Sequence, residues 1–264
     1  MSPRNSTTWI VLLAIVVLTG AATEALAQAP PEAPPVSKYA PAKDLAEQVD
    51  YYVGRLEESV ASPEDYKDYA ERLAKDANTL TVIALALGLH DENSRYKAAA
   101  PAIIKASRQL GEAKDYASAK KAVEEVKKSI SAKDDPAALK WEKVAVLRQL
   151  MLAVPAVNTQ LKRNIKLRRP KKDAPKAAGR AAVIAVIGQS SLYHSGDTTK
   201  PELAAQWYKY CEEMRDAAAE VNKATQQVDK PAARKGMQKL QESCDHCHKV
   251  FHEAALGKQD VVEE

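Results

Sequence analysis

The stretch Asp229 to Phe251, DKPAARKGMQKLQESCDHCHKVF, places Ala233, Met237, Leu240, Cys244, Cys247 and Phe251 at alternating steps of four and three. Such steps return to one side of an α-helix and trace the packing stripe of a bundle helix. Asp229 and Pro231 supply the start signals, a capping oxygen followed by a proline in the first turn. The rest of the chain has the same character. It is rich in Ala, Lys, Glu and Leu, with only 9 Gly in 264 residues and 5% aromatics. No segment alternates with the period of a strand. The fold class that follows is all-α.

The end of this stretch carries chemistry. Cys244-Asp245-His246-Cys247-His248 has the Cys-x-x-Cys-His spacing at which a c-type haem is covalently attached. Each cysteine gives a thioether to one vinyl group, and the adjacent histidine gives an imidazole nitrogen to iron. On a helix, positions i, i+3 and i+4 share a face, so Cys244, Cys247 and His248 can reach one porphyrin. Two other chemistries use a Cys-x-x-Cys pair. A structural zinc site needs two further good ligands, and Cys211, His90, His194 and His252 form no second pair. A thioredoxin-like redox pair is expected beside a βαβ pattern, and none is visible. Phe251, the sole phenylalanine, sits three residues after His248 and can pack on its side of a haem or fill the core. Cys211, four residues after Trp207, reads as a small buried hydrophobe.

Working outward, start and stop signals divide the chain into about eight helices. The first half has helices near 44–61, from Ser62-Pro63 to about 88, near 94–110 and at 116–130, with 131–136 as a linker. The second half has a long helix at 138–166, a basic loop at 168–172, and helices at 173–194, 201–226 and 229 onward. Layout and the pair Leu89-His90-Asp91 and Leu192-Tyr193-His194 suggest an internal duplication. The first copy has no Cys or His where the second has its motif, so the first half should carry no haem. The expected architecture is two tandem antiparallel four-helix bundles, at 43–131 and 137–257, the second carrying one covalent haem.

Ahead of these, Arg4, the apolar run Trp9 to Leu18 and Ala25-Leu26-Ala27 look like a secretory signal peptide over 1–27. An uncleaved anchor is the other reading. Residues 28–42 are proline-rich and read as an extended, disordered leader. Periplasmic localisation is the expectation.

The first helix of the second half forms the facing wall. Val144, Leu147, Met151, Val154, Asn158, Leu161 and Ile165 follow a heptad stripe. Met151 lies on it and can bind iron through its thioether or serve as core. Pro155 should bend this helix.

A four-helix bundle with Cys-x-x-Cys-His on its last helix, Phe251 after it and Arg148-Gln149 on its first resembles the cytochrome c′ family and its cytochrome c-556 relatives. The resemblance covers about Ala138 to the C-terminus. It implies haem attachment at Cys244 and Cys247, His248 as proximal ligand, and Arg148 near a haem propionate. It puts the iron-facing position four residues after that arginine, at Leu152, one residue away from the heptad choice of Met151. Leucine there implies five-coordinate iron suited to NO or CO, and methionine implies electron transfer. His252 stands where the family usually has Arg or Lys. Export is also what the resemblance implies, since such cytochromes acquire haem outside the cytoplasm.

Charge is uneven. Residues 28–136 hold 16 basic and 19 acidic side chains, and residues 137–264 hold 22 and 15, net −3 against +7. A positive haem half can steer docking with an acidic redox partner, although a run such as Arg168 to Lys172 is also what a solvated loop looks like. Nucleic acid is not an expected partner, and homodimerisation is open. Three functions follow: an electron carrier, a haem protein that binds or senses small gases, or a haem-free helical interaction protein. None is an enzyme.

Overall fold

Helix starts in this chain are set by caps and prolines. Ser62 Oγ accepts from Asp65 N at 3.0 Å ahead of Pro63, Asp115 and Ser118 form a reciprocal capping box, and Asp229 accepts from Ala232 N at 3.0 Å. In the computed structural model, which describes residues 29–254, these signals open three of eight α-helices. The helices are α1 (Ala42–Ser59), α2 (Pro63–Gly88), α3 (Ala100–Gly111), α4 (Tyr116–Ser129), α5 (Leu147–Asn164), α6 (Pro170–Ser191), α7 (Ala204–Gln226) and α8 (Lys230–Phe251). Among the described residues there is no strand, and no helix is long and apolar enough to cross a membrane. The signal segment lies outside the described residues.

The packing centres on α2 and α6. The second half of α2, from Asp76 to Gly88, and the stretch of α6 from Ala181 to Ser191 are buried on every side. In the first half α1 and α3 flank α2, and α4 closes against α3 and α1. In the second half α5 and α7 flank α6, and α8 packs along α7. The halves meet through α1 on α6, α5 on α2 and α2 on α6, and one continuous apolar core runs through both.

Several sequence expectations shift. The leader read as disordered over 28–42 contains a 3-10 turn at Val36–Lys38, and Val36, Tyr39 and Ala40 are buried. The helix expected at 94–110 begins at Ala100, because Pro101 fits only a first turn. The basic stretch 168–172 is a loop only to Arg169, since Pro170 opens α6.

The long helix expected from 138 begins at Leu147. Residues 139–146 are instead an irregular segment tied to α2 at both ends. Leu139 lies over Gly88, which has no side chain to keep it off, and Val146 N donates to Asn78 Oδ1 at 2.8 Å. Burial of Leu139, Val144 and Ala145 against the first half outweighs the local helix preference.

Candidate haem site

The last two turns of α8 hold Cys244, Cys247 and His248, each partly buried. The stripe read from sequence is the buried side of the helix, with Ala233, Met237, Leu240 and Phe251 in the interior. A separate small apolar cluster surrounds the end of the motif. It consists of Leu192, Ala204, Trp207, Tyr208, Cys211 and Phe251, with Leu147 and Cys247 packed against it. Phe251 meets Trp207 edge-on at 5.2 Å and Tyr210 at 6.5 Å. Trp207 is fixed by its indole N–H, which donates to Ser191 O at 2.7 Å, and Thr199 Oγ1 donates to Phe251 O at 3.1 Å. Phe251 therefore anchors α8 to α7 and to the segment after α6. Cys211 is buried, as its place after Trp207 foretold.

Burial sets the protonation of the motif. It pushes the Cys244 thiol up to about 11 and the Cys247 thiol up to about 12, so both are protonated at neutral pH. It also lowers the His248 pKa, and neighbouring His252 lowers it further, the two rings lying 5.9 Å apart. A neutral imidazole results, the form that ligates metal. His248 Nδ1 is buried and has no hydrogen-bond partner, the mark of a side chain whose environment is completed by something else. Among the described residues no three or more His, Cys, Asp or Glu converge as a metal site. A haem needs no such group, because the porphyrin supplies four donors and the protein only axial ones.

The wall opposite is α5, which lies closely on α6 and α2 but makes no comparable contact with α8. It runs antiparallel to α8. Leu147 at its start packs on the cluster that Cys247 also joins, and Lys162 near its end donates to Gln241 on α8 at 3.4 Å. Leu147, Met151, Asn158 and Lys162 lie on one side of α5, by their spacing of three and four. Met151 is half-buried against the main core, and Asn158 Oδ1 is buried without a partner. Leu152 is 45% exposed, and Arg148 is exposed as well. Cys247 and Phe251 thus belong to the small cluster, Met151 packs on the main core, and Arg148 and Leu152 are exposed. Sequence reasoning missed Trp207 and Leu147 as parts of the site. Trp207 had a signal in its spacing from Cys211, whereas nothing local marked Leu147 as part of that cluster.

Donor set and burial fit a c-type haem. No curated protein and no solved structure matches the chain. Residues 168–252 match the family described as Cytochrome C′, a span that takes in α6, α7 and α8 and ends just past the motif. By that match the C-terminal half of the chain resembles the cytochrome c′ family, whose name implies a c-type haem.

Proposed function

We propose that this protein is an exported one-haem c-type cytochrome that carries electrons in the periplasm, with His248 as proximal and Met151 as distal ligand. The observation that carries the reading is the stripe on α5. Met151 lies one turn beyond Leu147, on the same side, and Leu147 touches the cluster around Cys247. The haem supplies a one-electron couple between ferric and ferrous iron.

The chain's own residues do the rest. Cys244 and Cys247, held as thiols by burial, are the groups that add across the vinyls. His248 presents a neutral nitrogen. Phe251, Trp207 and Tyr210 exclude water from the end of the cleft. The positive excess of residues 137–264 steers an acidic partner toward the haem half.

A second reading has its own support. Pro155 has no N–H to give the carbonyl of Met151, four residues earlier, so the helix is loosened at the wall itself. A thioether held there loosely leaves iron open to NO or CO. The ferrous spectrum decides between the readings. A sharp low-spin band that collapses to high spin in Met151→Leu supports methionine ligation. A broad high-spin band in the native protein supports the open site, and no Soret absorption at all would reject both.

A further inference from the structure

The two halves meet in a symmetric way. α1 packs on α6 while α5 packs on α2, so exchanging the halves maps the joint onto itself, and α2 meets α6 on the axis. That is the pattern of an isologous interface between two copies of one subunit. The hairpins that form it match in size: α1 and α5 each have 18 residues.

Individual residues repeat the relation. Arg55 is the fourteenth residue of α1 and Gln160 the fourteenth of α5, while Asp76 and Arg180 each lie fourteen before the histidines His90 and His194. Arg55 Nε donates to Asp76 Oδ2 at 2.8 Å, and in the other half Arg180 Nε donates to Gln160 Oε1 at 2.9 Å. Tyr51 stands between the two pairs. Its hydroxyl accepts from Arg55 Nη1 and donates to Gln160 Oε1, both at 3.3 Å, and each guanidinium lies 5.5 Å from its ring centre. Farther from the axis, Asn222 Nδ2 bridges Asp44 Oδ2 at 2.6 Å and Ala178 O at 2.8 Å.

We infer that the N-terminal half is a built-in partner subunit, and that it braces α5, the distal wall, through Tyr51 on Gln160 and Asn78 on the backbone of Val146. α6 and this half make the main contacts of α5, while α8 makes no comparable one. Tyr51 and Asn78 are then positioning residues for a site they do not touch. The pairing claim stands without haem, and the bracing claim rests on the haem reading above.

Two measurements on the full chain test it. A Cβ at Gly179 would lie 3.5 Å from Gln48 Cγ, so Gln48→Cys with Gly179→Cys sets two thiols across the joint. Oxidation should link them within one chain, seen on a non-reducing gel as a single-chain band that runs faster than the parent's and reverts on reduction. A link between two chains, or none, overturns the pairing. In the second measurement, Tyr51→Phe with Gln160→Ala should change the CO association rate of the ferrous protein about threefold or more, with helicity unchanged. A rate and a ferrous spectrum identical to the parent's overturn the brace while leaving the pairing intact. Haem-free parent protein would instead reject the cytochrome reading, and the cross-link would still report on the joint.

Discussion

The first half and the half with the Cys-x-x-Cys-His motif share one hairpin and differ in the other. The paired hairpins α1–α2 and α5–α6 are alike, but α3 and α4 have 12 and 14 residues where α7 and α8 have 23 and 22. At 1.5 Å per residue, α4 is about 21 Å long and α8 about 33 Å. The short helix closes on its neighbour: α4 touches α1, with Ala119, Val123 and Val126 filling the space between. The long helix makes no comparable contact with α5 and carries two cysteines and a histidine in its last turns. A cofactor site in this architecture thus needs added helix length and a missing contact, and changing side chains on α4 would not create one.

The comparison can be broken most severely at the motif. Cys244→Ala with Cys247→Ala should abolish covalent haem, read as loss of haem-linked absorbance on a denaturing gel, and should make the second half resemble the first. Next in size is Leu150→Ala. Leu150 is fully buried under α5, and its truncation should cost about 3 kcal/mol by urea titration.

A pH effect follows at His194. His194 is buried with Nε2 unpartnered and its pKa lies below the ordinary 6.5, chiefly through burial and against the pull of Asp197. The unfolded chain therefore takes up the proton first as pH falls. Stability is present above about pH 6.5 and is lost below it, by up to about 1.4 kcal/mol per pH unit for one such group. In His194→Gln the melting temperature should fall less between pH 7 and pH 5 than in the parent.

The smallest effect lies in the turn before α8. Val228, a β-branched residue, sits at φ 56°. Val228→Gly should raise stability by about 1 kcal/mol in thermal melts, with the haem spectrum unmoved.

Much of this was legible beforehand, for reasons that can be named. Ser62-Pro63 and Asp229 with Pro231 start helices through local bonds, and the stripe from Ala233 to Phe251 needs only the helical period. What escaped was set at long range. Residues 139–146 read as helix because their composition favours it, and the partners that hold them otherwise, Gly88 under Leu139 and Asn78 at Val146 N, are distant in sequence. The choice between Met151 and Leu152 is a rotation of 100° about α5, invisible until the position of α8 is known. Nothing in the sequence of α1 announces that Tyr51 meets Arg180 from the other half.

Trp207 has a further use. Its indole lies edge-on to Phe251 in the cluster that Cys247 joins, whereas Trp141, the other tryptophan among the described residues, packs on the main core. A porphyrin at Cys247 would drain the excited state of Trp207 by energy transfer. The molecule thus contains its own optical gauge of cofactor loading, readable in emission during maturation without any added label.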